Sequence, residues 1–360
     1  MHVMTPLPFD DDTPAATAPV AKRRLADLLN RPLSIGGRII TGRLVLAPMT
    51  GLGHVAFRHL LDDLGGCGLM FSEMCSAARI PHENRHTSAY FRWRDKESGR
   101  LVVQIVGGDP LRMMAAARRI EAEGLFGVDI NLGCSVKAIC KFNQGAALLR
   151  DPAVATDLVR RVRGAVRCPL LVKFRTGWQD DARIPVDLAR RLEDAGADAL
   201  TFHPRVAPDI RTRPARWEYI ARVKEAVSIP VFGNGDVFDA RDCLKMLQTT
   251  GCDGVALGRL AIAQPWVFAQ WCHGLAAPTG VYTDIAFRLA DLLEYYFDPV
   301  CSLRRYKRFS AYLSANFAFG NTLYNRIRNA ADLQGVRRAL IRFFSADPDR
   351  LTRPNLNLLR

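Results

Sequence analysis

Short apolar runs recur from residue 44 onward, each followed by a stretch in which apolar positions return every three or four residues. The runs are Leu44–Pro48, Leu69–Glu73, Leu101–Ile105, Gly127–Asn131, Leu170–Arg175, Ala199–His203, Val231–Asn234 and Gly254–Leu257. They are short, Leu-rich or β-branched and unbroken by polar alternation, which predicts strands covered on both faces. The amphipathic stretches between them include Pro110–Glu123, Pro152–Ala165, Ile184–Ala195, Trp217–Ala226 and Asp239–Thr249. Strand–helix alternation predicts a parallel sheet, and eight units predict closure into a (β/α)8 TIM barrel of α/β class. A doubly wound open sheet is the weaker alternative, because no G-x-G-x-x-G follows the first strand.

The flanks read differently. "PLSIGGRIITGRL" predicts a hairpin that plugs the barrel floor. After about Gly280 the strand signals cease, and Thr283–Phe297, Ser302–Phe319, Thr322–Ala331 and Gln334–Phe344 predict a small all-α helical bundle. The expected organisation is an N-terminal tail over residues 1–32, disordered at its start, a barrel catalytic domain over 33–275 and a helical domain over 280–360.

Composition narrows the classes. No run of about 20 apolar residues occurs, so no membrane span is expected. The nine cysteines are scattered without a C-x-x-C pair, which argues against a disulfide framework, a zinc ribbon or an iron–sulfur cluster and favours a reducing cytoplasm. No metal is expected. Fifty Lys+Arg against 36 Asp+Glu give a formal charge of +14. That charge suits either a basic soluble protein or one with a polyanionic partner.

Barrel enzymes carry their chemistry at the C-terminal ends of the strands. Those ends supply Pro48 and Met49, Glu73, Gln104, Asn131 and Cys134, Lys173 and Arg175, His203, Asn234-Gly235-Asp236, and Gly258-Arg259. Gly235 and Gly258 follow strands seven and eight, where barrels often hold a phosphate, and Arg259 can add charge. Lys173 and Arg175 lie two apart and so share a face. They face either an anionic ligand or structural acids. Cys134 is either a buried small side chain or a reactive thiol.

Together these residues resemble the tRNA-dihydrouridine synthase family. The matching motifs are "LVLAPMTGL" followed by "FR" at 44–58, "VDINLGC" at 128–134, "GAALLRDP" at 145–152 and "LVKFRTGW" at 171–178. "HPR" with a later "W" at 203–217, "NGD" at 234–236 and "GCDGVALGR" at 251–259 also match, and the helical tail resembles the family's RNA-binding domain. The resemblance implies FMN as cofactor, NADPH or NADH as electron donor and tRNA as substrate. A uridine would be reduced to 5,6-dihydrouridine by hydride from flavin N5 to uracil C6. It implies that Pro48, Met49, Gln104, Lys173, His203, Asn234, Gly235, Asp236, Gly258 and Arg259 bind FMN. Asn131 and Arg175 would face the uracil, and Cys134 would give a proton to C5. A Lys beside a flavin ring stabilises negative charge on the reduced ring. A thiol near pKa ~8.5 is mostly protonated at neutral pH yet can release its proton.

A base inside folded RNA must be flipped out to reach a barrel mouth, and the basic surface then has a purpose. Its candidates are Lys137, Lys141, Arg211, Arg213, Arg216, Arg304, Arg305, Lys307, Arg308, Arg326 and Arg328. A monomer is expected. The chain departs from the family pattern around the substrate loop. Ser135 replaces the usual Pro, "FNQGAALL" keeps only Gly145, and Pro204, Val206 and Arg211 stand where Gly, Thr and Arg are usual. A second thiol, Cys140, lies on the same loop. The rival expectations are an FMN barrel oxidoreductase for a small-molecule enone or another RNA, and a non-catalytic flavin-containing RNA-binding protein.

Overall fold

Gly36 and Gly37, with φ of 53° and 79°, make the two-residue turn that the hairpin expected before the first barrel strand requires. Strands β1 (Leu33–Ile35) and β2 (Arg38–Ile40) pair antiparallel across it. The computed structural model describes residues 20–209 and 213–355. They divide into two compact units, one of Leu29–Met49 with Gly68–Leu257, the other of the residues before Leu29, Thr50–Cys67 and the chain from Gly258 on.

The first unit is the barrel. Strands β3 (Leu44–Leu46), β4 (Met70–Phe71), β5 (Cys75–Ser76), β6 (Leu101–Val106), β7 (Gly127–Leu132), β8 (Leu170–Gly177), β9 (Ala199–Val206), β10 (Val231–Asn234) and β11 (Gly254–Leu257) form one parallel sheet. Its order β4-β3-β11-β10-β9-β8-β7-β6 closes through pairing of β4 with β6. The second barrel strand is interrupted: β4 and β5 both pair with β6, at Met70↔Leu101 and Cys75↔Ile105. Between them the Ser72 hydroxyl accepts the amide of Gln104 at 3.0 Å, the place a ladder carbonyl would otherwise fill.

Residues two apart on each strand share a face, so the interior can be read in layers. Near the strand starts it is apolar: Val45, Phe71, Val102, Leu171, Ala199, Phe232 and Ala256 cluster with Ile35 and Ile40 of the hairpin. The hairpin therefore seals the floor. One step further along the strands the same face turns polar, at Gln104, Asp129, Asn131, Lys173, Thr201 and Asn234.

In chain order the helices are α1 (Val20–Leu29), α2 (Val55–Leu64), α3 (Pro110–Ala122), α4 (Lys137–Cys140), α5 (Pro152–Ala165), α6 (Arg183–Asp194), α7 (Trp217–Ala226), α8 (Ala240–Thr250), α9 (Arg259–Ala263), α10 (Val267–His273), α11 (Val281–Tyr296), α12 (Pro299–Ser314), α13 (Gly320–Arg328) and α14 (Leu333–Phe344). Helix starts follow local chemistry. Asp109 and Asp151 cap α3 and α5 with proline in the first turn. α1 lies within the segment expected to be a tail, with Leu25 and Leu29 buried, and the expected disordered start lies outside the described residues.

The helical unit contains α2 and α9 to α14. Asp298 and Asp332 cap α12 and α14 through the amides of Cys301 and Gly335. The Tyr306 hydroxyl donates to the Ala286 carbonyl at 2.9 Å, and Asn316 donates to the Ala263 carbonyl at 2.9 Å. α2 joins this unit because it buries Phe57, Leu60, Leu61 and Leu64, while Asp63 pairs with Arg288 of α11 at 2.7 Å.

Candidate active site

A line of side-chain hydrogen bonds crosses the polar half of the barrel interior. Gln104 on β6 stands in register with Asp129 on β7 and donates to its carboxyl at 2.6 Å. The Gln104 carbonyl oxygen accepts from Asn131 Nδ2 at 2.8 Å, and Asn131 Oδ1 accepts the amides of Gly133 and Cys134 at 3.0 and 2.9 Å. Asp129, Gln104 and Asn131 are buried, so each bond forms where water does not compete. The line ends at the turn that presents Cys134.

That turn is braced from its other side. The Cys134 carbonyl accepts from Ala146 N at 2.9 Å and from Cys140 Sγ at 3.4 Å. Trp178 of the loop after β8 donates to the Ala146 carbonyl at 2.8 Å. Both thiols are half-buried. Burial raises the Cys134 thiol above its ordinary pKa, opposed by the Val136 amide and by the charges of Arg175 and Lys173, with Cys140 adding to the rise. A protonated thiol at neutral pH is the form a proton donor needs.

Lys173 lies beside Asn131 in the β7–β8 register. Burial first, then the nearby Arg175, lowers its ammonium to about 8, against the pull of Asp129 and Cys134. Arg175 and His203 are register partners, and both lie inside longer strands than expected: β8 runs to Gly177 and β9 to Val206, with a bulge after Arg175. The buried Lys173 ammonium beside Arg175 on one inward face, together with the buried Thr201 hydroxyl that has no partner, suits a polar, anionic ligand.

The corner after β10 has tight geometry. Gly235 takes φ of 118°, and a β-carbon there would fall 2.8 Å from the His203 ring. Asp236 follows at φ 56°. Its carboxylate accepts two bonds from Arg205, at 2.6 and 2.5 Å, and the Ala215 amide at 2.8 Å. Arg205 also lies 3.1 Å from His203 Nε2. Asn234 donates to the Ala256 carbonyl at 2.7 Å.

Of the sequence candidates, Gln104, Asn131, Cys134, Lys173 and Arg175 meet on β6 to β8, and His203, Asn234, Gly235 and Asp236 on β9, β10 and the following corner. Pro48 and Met49 follow β3 and are half-exposed. Gly258 and Arg259 open α9, in the helical unit. Arg305 is corrected as a surface cation: it is 4 % exposed, 3.3 Å from Cys301 Sγ and stacked over Phe297. Arg213 and Arg216 pair with Asp209, and Arg216 also with Asp180. Arg304, Arg308 and Arg328 are exposed, and Arg211 lies outside the described residues. Asp129 and Arg205 were missed. Each lies two residues from a chosen candidate on the same strand, so the strand period alone would have placed both on the inward face.

A closed barrel with a sealed floor, a polar interior of amides and cations, and a protonated thiol at one strand end defines a barrel enzyme. Residues 45–312 match the family model described as dihydrouridine synthase, and the chain belongs to that family. It is 40% identical over 241 residues to tRNA-dihydrouridine synthase B of Pseudomonas aeruginosa, covering 67% of this chain and 72% of the relative. It is 37% identical over 319 residues to a probable tRNA-dihydrouridine synthase of Mycobacterium tuberculosis, covering 84% and 82%. Among solved structures, the old yellow enzyme from Trypanosoma cruzi aligns with a TM-score of 0.53 and 11% identity over 76% of this chain and 99% of that one. Histamine dehydrogenase from Rhizobium sp. 4-9 aligns at 0.55 and 12%, over 79% and 51%. At such identities these two likenesses concern the barrel fold alone. No described helix is long and apolar enough to cross a membrane.

Proposed function

We propose that the chain is an FMN-dependent tRNA-dihydrouridine synthase of the cytoplasm, drawing electrons from NADPH or NADH. The observation that carries this reading is the line from Gln104 through Asn131 to the Cys134 turn, with Lys173 beside it. Gln104, Lys173, His203, Asn234, Gly235 and Asp236 would hold FMN, with Pro48 and Met49 against the ring. The buried Lys173 ammonium and the Gly235 corner, which excludes a β-carbon, fit such a ligand. Bound there, FMN supplies the hydride that uracil takes at C6.

The chain's own residues do the rest. Asn131 and Arg175 orient the base. Lys173 offsets negative charge at the pyrimidine edge of the ring. The Cys134 thiol gives its proton to uracil C5, and the nearby cations Arg175 and Lys173 stabilise the thiolate left behind. Exposed Arg304, Arg308 and Arg328 would draw the RNA backbone to the helical unit. The test is incubation of the FMN-loaded protein with unmodified tRNA and NADPH, then mass spectrometry of the digested RNA. A uridine heavier by two hydrogens is the expected product. A reducible flavin with unchanged tRNA would redirect the search to other RNAs and small enones.

A further inference from the structure

Asp129 is fully buried on the inward face of β7, yet no candidate role in flavin or uracil binding uses it. Its Oδ2 accepts from Gln104 Nε2 at 2.6 Å, and its Oδ1 has no partner. No ion pair joins it to Lys173, whose charge it feels only at longer range.

The donor and acceptor order of the line has one consistent sense. At one end the amides of Gly133 and Cys134 can only donate, so Asn131 must turn Oδ1 toward them and Nδ2 toward Gln104. Gln104 must then turn its oxygen to Asn131 and its NH2 toward residue 129. An acceptor at 129 completes the sequence. An apolar side chain there would leave a buried NH2 without a partner and free the Gln104 amide to rotate.

We infer that Asp129 is a positioning residue: its carboxyl oxygen anchors Gln104, and through Gln104 and Asn131 it fixes the turn that presents Cys134. The inference rests on the dihydrouridine reading and adds to it a coupling between the flavin-facing amide and the proton donor. What matters is the acceptor at Asp129 and not its charge, because the contact it makes is the hydrogen bond to Gln104.

The test uses the FMN-loaded full chain and the variants Asp129→Leu, Asp129→Asn, Gln104→Leu and the double Asp129→Leu/Gln104→Leu. Asp129→Ala replaces the leucine variant if that one does not fold. Uridine reduction and the visible flavin band are read separately, at saturating FMN. The expected result for Asp129→Leu is a kcat lower by roughly 10- to 100-fold with little change in KM for tRNA, and a flavin band shifted as in Gln104→Leu. Asp129→Asn keeps an oxygen acceptor and should restore kcat to within roughly threefold of the parent. The double variant should be no worse than Gln104→Leu, since Asp129 acts through that side chain. Equal losses in Asp129→Asn and Asp129→Leu would overturn the inference in favour of a role for charge, and so would additive losses in the double variant. A parent enzyme that reduces no uridine would end the dihydrouridine reading alone. The flavin band would still decide on Asp129, a shift in Asp129→Leu supporting the anchor and an unshifted band overturning it.

Discussion

The carbonyl oxygen of Cys134 lies 2.6 Å from where a β-carbon on Gly145 would stand, so the loop bearing the thiol is folded directly onto that glycine. Gly145 also takes φ of 60°, which costs an L-residue about 1–2 kcal/mol. Gly145→Ala should therefore push the Cys134 turn away from the barrel mouth. Dihydrouridine formation should fall steeply while the protein still binds flavin. Unchanged turnover, measured by mass spectrometry of the RNA, would show that the turn tolerates the displacement.

The two thiols of this loop should separate cleanly. Cys134→Ala should leave a yellow, NADPH-reducible protein that forms almost no dihydrouridine. Cys140 only braces the turn through the Cys134 carbonyl. Cys140→Ala should cost no more than a few-fold, the scale of one neutral hydrogen bond of about 1 kcal/mol. The reverse pattern would make Cys140 the acid.

Gly235→Ala should reduce flavin content. Its β-carbon would meet the His203 ring at 2.8 Å, and its φ of 118° suits glycine alone. The check is the ratio of flavin absorbance to protein after purification. A full complement of flavin in this variant would free the corner of any part in holding the cofactor.

Stability of the flavin-free protein should depend on pH in two windows. Burial raises Asp129 from 3.8 to about 7, so between those values the folded chain keeps a proton that the unfolded chain releases. The stability contributed by Asp129 is complete below 3.8 and is lost as pH rises through 7. Lys173 behaves oppositely. Its ammonium falls from 10.5 to about 8, so between these the unfolded chain holds more protons and stability rises with pH. Urea midpoints across pH should lose the first slope in Asp129→Asn and the second in Lys173→Met.

Adjacent arginines on α12 should respond to different assays. Arg304 is exposed, and Arg304→Glu should weaken tRNA binding and flatten its salt dependence without changing the melting temperature. Arg305 is enclosed by Phe297 and Cys301, and Arg305→Ala should destabilise the helical unit by about 1–3 kcal/mol. Thermal melts and filter binding at two salt concentrations separate the effects.

The barrel was legible because its strands are buried on both faces and so read as apolar runs, and the hairpin because Gly36-Gly37 leaves few other turns. The four C-terminal helices were legible from their apolar period. Three features were not. The break between β4 and β5 depends on the Ser72 hydroxyl replacing a carbonyl, a tertiary event. The extension of β9 past His203 runs through Pro204, and beyond the Arg175↔His203 pair the ladder with β8 resumes only after a bulge, at Gly177↔Val206. Arg305 is one of four basic residues within Arg304–Arg308, and nothing local distinguishes the one whose helical position turns it inward. At the site, the residue types at strand ends were readable. For Asp129 and Arg205 the strand period gives the inward face but not the partners, Gln104 and Asp236, which neighbouring strands and the corner after β10 supply.

The hairpin floor gives the barrel a single doorway. A nicotinamide nucleotide and a base flipped from RNA would both have to reach a flavin seated there from the side opposite the floor, so it would be served by one visitor at a time. Electrons would enter and leave by the same route in alternate visits. Rate plots against tRNA at several NADPH concentrations should then run parallel in double-reciprocal form, and excess NADPH should slow the enzyme by lingering in the entrance the RNA needs.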